Sequence, residues 1–142
     1  MTRLILALGL AATLAGCGKD ATPTAATPPN TVNSATRLFT GTLTAGDAQF
    51  YSLTLPQDSG IFVTLASVSD TGSRDATATP LGVGLGVPRG TECVMSTRVV
   101  SAAALTPQIR EYTKQGVRCV AVFDPGSLPA PVRFAVRIGY FQ

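Results

Sequence analysis

The chain is 142 residues long, and its hydrophobic content of 45% against 13% charged residues suits one folded domain with terminal appendages. Frequent Gly (14) and Pro (10) favour strands and turns, and the basic residues behind the formal net charge of +3 are dispersed, unlike the dense basic stripe of nucleic-acid-binding proteins. Histidine and tryptophan are absent, which excludes imidazole catalysis, imidazole metal sites and tryptophan stacking on sugars.

Residues 1–16 have the pattern of a secretory signal peptide. Arg3 provides a basic start, and the apolar run Leu4–Ala12 follows it. A membrane span needs about 20 apolar residues, so this run is too short to cross a bilayer. We therefore expect the segment to direct export and to be removed. Loss of Arg3 then lowers the formal net charge from +3 to +2.

The residues Leu14-Ala15-Gly16-Cys17 resemble the lipobox of bacterial lipoproteins. The resemblance implies cleavage between Gly16 and Cys17 and attachment of lipid to the Cys17 sulfur. Cysteine suits this chemistry because its thiolate is a strong nucleophile for thioether formation. Two or three acyl chains then hold the protein durably, since each buried methylene contributes about 0.8 kcal/mol. The alternative is an ordinary signal peptide followed by a chance cysteine.

The residues after Cys17 indicate where the protein is sent and how its domain is attached. Gly18, rather than Asp, follows the cysteine, and by the same resemblance this implies transfer to the outer membrane of a two-membrane cell. We expect an envelope protein held by its lipid on the periplasmic or surface face. Residues 17–36 are rich in Ala, Thr and Pro, which predicts a flexible linker. The folded domain is predicted to occupy residues 37–142.

Alternating apolar residues, turn signals and one almost wholly apolar run, Val117–Phe123, predict seven strands in this domain. One segment, Thr106–Gly116, shows helix signals instead, with Thr106 as a cap, Pro107 at the first position and Gly116 after the end. The predicted fold is an all-β, jelly-roll-like antiparallel β-sandwich with one short helix. The predicted strands are Arg37–Leu43, Ala48–Leu55, Ile61–Val68, Leu81–Val87, Glu92–Thr97, Val117–Phe123 and Val132–Tyr140.

The fourth predicted strand carries glycine at every second position. Gly82, Gly84 and Gly86 leave one face without side chains, although glycine weakens a strand. Either another element packs on this bare face, or the face is an open platform for a partner. We favour packing, because an exposed strip of backbone invites association with other chains.

The order of elements resembles the bacterial pre-peptidase C-terminal domain. The resembling residues are Gly41–Asp47, Phe50–Leu53, Gly116 before Val117–Phe123, and the closing strand through Tyr140. The resemblance implies a jelly-roll-like sandwich of the kind found beside secreted proteases and alone in envelope proteins. The chain departs from the family pattern at Pro88-Arg89-Gly90 and at Arg118-Cys119, so no ligand is carried over from the family.

Two cysteines remain in the domain once Cys17 is assigned to lipid. An even number in an exported chain predicts a disulfide between Cys93 and Cys119. Closing that loop would contribute roughly 3 to 4 kcal/mol in the chain-entropy model. The alternative is a pair of buried thiols. A zinc site is not expected, because two thiolates without histidine cannot fill four positions.

Few residues form a pattern that would carry chemistry, and we expect no catalytic residues, no metal and no cofactor. Asp70 and Asp75 offer carboxylates for calcium, but Arg74 between them opposes a divalent cation. Arg133 and Arg137 project from the same strand face and are candidate contacts for an anionic glycan or a lipid phosphate. The alternative for these two arginines is a solvated sheet face.

These observations predict a membrane-anchored envelope lipoprotein whose β-sandwich is a non-catalytic interaction or structural module. Its partners would be the membrane, through the lipid, and an envelope protein or glycan. An alternative is an accessory subunit or inhibitor of a secreted hydrolase, which needs a rigid exposed loop such as Ser69–Pro80 or Leu128–Pro131. A free-standing enzyme would need a cleft with convergent polar groups, and no spacing in the sequence indicates one.

Overall fold

The computed structural model describes residues 33–142, which form eight β-strands. The signal peptide, the cleavage site at Gly16 and the lipidation residue Cys17 lie outside the described residues, so the predictions made for them stay predictions. None of the elements within residues 33–142 is a helix able to span a membrane. The strands are β1 Ser34–Leu43, β2 Ala48–Leu55, β3 Ser59–Asp70, β4 Leu81–Arg89, β5 Glu92–Ser101, β6 Ile109–Thr113, β7 Gly116–Phe123 and β8 Val132–Phe141.

The strands form two four-stranded antiparallel sheets. Sheet A has the order β1-β8-β3-β6 and sheet B has the order β2-β7-β4-β5. The chain passes back and forth between the sheets, so that each half of the sequence contributes two strands to each sheet. This strand order is that of a jelly roll, and it confirms the predicted antiparallel β-sandwich.

The core lies between the sheets and follows directly from the period of two in the strands. Every second residue of β8 from Val132 to Tyr140 is buried, while the residues between them are exposed or half-buried. Sheet B contributes Leu81, Val83 and Leu85 from β4. Burial of these aliphatic side chains is the main force that holds the two sheets together.

The predicted helix over Thr106–Gly116 is wrong, because the middle of this segment is strand β6. β6 pairs with β3, with Val63 opposite Ile109 and Ile61 opposite Glu111. The free edge of β3 needs partners for its backbone groups, and this need outweighs the local helix signals. Gly116, with a φ of 122°, starts β7 rather than ending a helix.

The domain also begins earlier than the sequence indicates. β1 starts at Ser34, within the segment 17–36 that was assigned to the linker, and pairs with β8 from its first residue. Ser34 lies opposite Phe141, and the backbone N–H of Gln142 donates to the carbonyl of Asn33 at 2.6 Å. Pairing with β8 is therefore enough to order a stretch that is too polar to be recognised from its hydrophobicity.

One carboxylate fastens two turns at an end of the sandwich. Asp124, in the loop after β7, accepts a hydrogen bond from the backbone N–H of Gly46 at 2.8 Å. It also accepts from the N–H groups of Gly126, Ser127 and Leu128. The bond from Gly46, together with those three N–H groups, lowers the pKa of Asp124 despite a counteracting effect of desolvation. Asp124 therefore acts in its ionised form as a structural residue.

Candidate functional site

The two arginines predicted to contact an anion lie on the outer face of sheet A. Arg133 and Arg137 are both exposed residues of β8, and they alternate with core residues of the same strand. Four residues of strand separate their Cα atoms by about 13 Å. The two arginines therefore leave the sheet two strand repeats apart.

Arg133 lies in a groove lined by hydroxyl groups. In the sheet register, Thr42 of β1 lies opposite Arg133 on one side and Ser69 of β3 lies opposite it on the other. The small residue Ala135 leaves space beside the arginine. We call this cavity, of about 370 Å³, the arginine groove; it is lined by Thr40, Gly41, Thr42, Ser67, Ser69, Arg133, Phe134 and Ala135.

The chemistry of the arginine groove suits a polar, negatively charged ligand. The guanidinium offers a planar set of donors that matches a carboxylate or a phosphate. Serine and threonine hydroxyls can donate or accept, as sugar hydroxyls require. Among the described residues the one ion pair joins Lys114 to Asp58 at 2.8 Å, so Arg133 has no acidic partner there. Its charge is available to a ligand.

Arg137 belongs to a different part of the same face. Its neighbours across the sheet are Leu38 and Thr64, and its Nη2 atom donates to the carbonyl oxygen of Leu105 at 3.2 Å. The structure therefore places both predicted arginines on one face but does not join them into one site. The hydroxyl-bearing neighbours of Arg133 were not predicted, because the register between β1, β8 and β3 is needed to place them.

The two loops considered for an inhibitor role lie side by side. The hydroxyl of Thr71, in the Ser69–Pro80 loop, donates to the carbonyl of Pro131 at 3.2 Å. Within the first loop, the backbone N–H of Arg74 donates to the carbonyl oxygen of Asp70. The backbone N–H of Asp70 donates to the carbonyl oxygen of Asp75. Arg74 is exposed and has a φ of 65°. These bonds brace an exposed loop with an arginine near its tip.

The predicted disulfide is confirmed, and it explains the glycine-rich strand. Cys93 of β5 and Cys119 of β7 are bonded, with Cα atoms 5.8 Å apart, although β4 lies between their strands in sheet B. Strands two places apart are normally separated by about 9.6 Å. β5 must therefore bend over β4. The pairing register between the two strands shifts at this point, between Leu85 and Gly86 of β4.

The bare face of β4 is packed, as expected, but the neighbouring strands themselves cover it. A Cβ atom at Gly82 would overlap the ring of Phe123, and one at Gly84 would overlap the side chain of Met95. At Gly86 the overlap is with the carbonyl group of Val94, which is backbone. The glycines therefore allow β5 to approach β7 closely enough for the disulfide.

A second groove, which sequence reasoning missed, lies on the outer face of sheet B. Its volume is about 260 Å³, and its floor includes Ala121 and one end of the disulfide. Its walls include the half-buried rings of Phe50 and Phe123 and the side chain of Met95. The groove is mainly apolar, and no titratable group other than Glu92 lines it.

Groups suited to catalysis or metal binding do not converge within residues 33–142. No cluster of three or more Cys, Asp or Glu side chains there could hold a metal ion. Lys114 donates to Asp58, and the N–H of Gln115 donates to the same carboxylate at 2.9 Å. Both bonds lower the pKa of Asp58, so this pair joins two turns as charged groups.

No family model and no curated protein matches the chain. Among solved structures, PliG of Salmonella Typhimurium, a periplasmic lysozyme inhibitor of g-type lysozyme, has 14% sequence identity and a TM-score of 0.46, covering 74% of this chain and 86% of its own. PliG of Aeromonas hydrophila has 12% identity and a TM-score of 0.42, with 75% and 86% covered. A protein of the Bacillus endospore appendages, which are disulfide-linked pili, has 14% identity and a TM-score of 0.45, with 78% and 88% covered. The resemblance to the pre-peptidase C-terminal domain stays a prediction, and function is inferred from the chain's own residues.

Proposed function

We propose that this chain is a lipid-anchored protein of the cell envelope, and that its β-sandwich is a non-catalytic module that binds an anionic glycan. The observation that carries the binding role is the arginine groove. It combines the guanidinium of Arg133 on β8, which has no acidic partner among the described residues, with hydroxyls from the two flanking strands, β1 and β3. The lipobox-like residues ending at Cys17 support the anchor, and Gly18 after the cysteine supports an outer-membrane location.

The face around the groove also favours an anionic partner. The outward side chains of β1 and β8 include threonines and arginines but no Asp or Glu. Glu111 of β6 points away from this face, since its carboxylate accepts a hydrogen bond from Thr97 of sheet B at 2.7 Å. A carboxylate- or phosphate-bearing glycan would therefore meet no acidic side chain from β1, β8 or β6, and the exposed Asp70 lies at the end of β3.

The binding role is tested with a polyanionic glycan and a neutral one. We expect the full chain, purified in detergent, to bind polygalacturonate more tightly than dextran, with an affinity that falls as salt is added. Arg133→Gln should weaken binding about tenfold or more, because a hydrogen bond to a charged group contributes about 1.5 to 3 kcal/mol. Arg98→Gln, an equal change of charge on the exposed outer face of sheet B, is the matched control. Equal losses in the two variants would contradict a specific groove.

A second candidate function is inhibition of, or accessory binding to, a secreted hydrolase. The observation that favours it is the braced pair of loops joined by Thr71 and Pro131, with Arg74 exposed near the tip. A rigid loop loses little conformational entropy when it enters an enzyme cleft. Wild-type chain used as bait in envelope extract should then retain a hydrolase and reduce its activity. Arg74→Ala should retain less, whereas Arg133→Gln should retain the same amount.

A further inference from the structure

The end of sheet A where the chain enters the domain carries aromatic side chains on its outer face, two of them exposed and one half-buried. β1 begins at Ser34, which lies opposite Phe141 in the sheet. Phe141 packs edge-on against Phe62, with ring centroids 5.9 Å apart. On the neighbouring edge strand, Tyr112 lies opposite Gly60 and is 71% exposed. We call Phe62, Tyr112 and Phe141 the aromatic end of sheet A.

Positive charge and further apolar side chains accompany the aromatic end. Arg110 is exposed and lies opposite Phe62 in the register, and Arg137 lies opposite Leu38. Leu38 is 63% exposed and Leu105 is 88% exposed, so large apolar groups meet solvent beside the arginines. Aromatic rings next to arginines, without acidic side chains, are typical of protein surfaces that lie at the interface of an anionic bilayer.

The number of residues between the proposed anchor and the start of β1 points to the occupant of this face. Only residues 18–33 separate Cys17 from Ser34, and this stretch spans about 55 Å even when fully extended. A short tether of this kind holds the domain at an effective concentration near millimolar beside the surface to which it is attached. A weak attraction between the aromatic end and the bilayer is then sufficient to keep them in contact.

We propose that the aromatic end of sheet A, with Arg110 and Arg137, docks on the headgroup region of a bilayer that contains anionic phospholipid. This inference rests on the lipid anchor of the proposed function. Arg133 lies eight residues before Phe141 on β8, about 26 Å away, so the arginine groove would remain open to its ligand. The domain would then be oriented on the membrane and would not only be tethered to it.

Single tryptophan reporters test this orientation, because the chain has no tryptophan of its own. Tyr112→Trp places the reporter at the aromatic end, and Val100→Trp, at a position 53% exposed on sheet B, is the matched control. The lipidated chains are reconstituted in vesicles of phosphatidylcholine and phosphatidylglycerol that contain brominated acyl chains. We expect a blue shift and strong quenching for Tyr112→Trp and neither for Val100→Trp. Equal quenching of the two reporters, or none, would overturn the proposal.

A second measurement separates failure of docking from failure of the anchor. Labelled palmitate on the reconstituted chain establishes the anchor independently of the tryptophan signal. The unanchored Cys17→Ala chain carrying Tyr112→Trp is also titrated with the same vesicles. Arg110→Gln should lower its partition constant about fivefold, because each surface arginine contributes that much attraction to an anionic leaflet. An unchanged partition constant, or an equal fall with Arg98→Gln, would show that the aromatic end is not the docking face.

Discussion

Adding one methyl group at Gly86 tests why β4 carries glycines. In Gly86→Ala the new Cβ would overlap the carbonyl of Val94, a backbone group held by the bend of β5 and by the disulfide at Cys93. Overpacking costs about 1 to 3 kcal/mol, and we expect the upper value because backbone cannot rotate away. Replacing glycine by alanine in a strand recovers about 0.5 to 1 kcal/mol. The expected net loss is therefore about 2 kcal/mol.

Gly84→Ala is the matched control on the same strand face. There the new methyl group would meet the end of the Met95 side chain, which is 36% exposed and able to rotate. The gain from removing a glycine then offsets the lost Met95 contacts, and the free energy of unfolding should stay within about 1 kcal/mol of wild type. The two substitutions are chemically identical and differ only in what covers the glycine.

Urea unfolding of the oxidised chains, followed by circular dichroism, measures the difference. With an m-value of about 2 kcal/mol per molar urea, Gly86→Ala should lower the midpoint by about 1 M, and Gly84→Ala should leave it nearly unchanged. In a Cys93→Ala/Cys119→Ala background β5 is free to lift, so the penalty of Gly86→Ala should shrink. Equal midpoints for the two alanine variants would refute the account of the glycines. An undiminished penalty without the disulfide would refute the link to β5.

Two further predictions concern covalent and electrostatic support of the fold. Cys93→Ala/Cys119→Ala should lower the free energy of unfolding by about 3 to 4 kcal/mol in urea titrations, because the disulfide is lost. A Cys17→Ala chain that keeps both domain cysteines should show no free thiol before reduction. Two free thiols in that chain would contradict the bond. Because folding lowers the pKa of Asp124, the ionised carboxylate stabilises the fold at pH values above the unfolded pKa of 3.8. This contribution is lost as the pH falls through the lower pKa of the folded state. Asp124→Asn should therefore be less stable than wild type at about pH 7, and its stability should fall less between about pH 5 and pH 2. Parallel loss of stability in both chains over that range would contradict this role.

Much of the fold could be predicted because strands with one buried face repeat every two residues. β8 alternates clearly, so its first residue and its exposed arginines were recognised, and its end was predicted one residue early, at Tyr140 instead of Phe141. β6 was not recognised, since Thr106, Pro107 and Gly116 are local helix signals and the open edge of β3 is a feature of the tertiary structure. A short strand of five residues gives too little periodicity to outweigh such signals.

The candidate site was predicted only in part, for a related reason. Arg133 stands out in the sequence as a charge on an alternating strand, but its neighbours across the sheet, Thr42 and Ser69, are distant in sequence. Only the register of β8 between β1 and β3 brings them together, and register depends on packing of the whole sheet. The aromatic end was missed because Phe62 and Phe141 read as ordinary strand residues until their outward direction is known.

Lipid attachment at Cys17 is the feature on which the proposed location depends. Metabolic labelling with radioactive palmitate, followed by separation of membrane and soluble fractions, tests it most directly in cells that make the full chain or Cys17→Ala. We expect a labelled wild-type protein in the membrane fraction and a Cys17→Ala protein that carries no label. A wild-type protein without label, or label that persists in Cys17→Ala, would contradict the lipid anchor at Cys17.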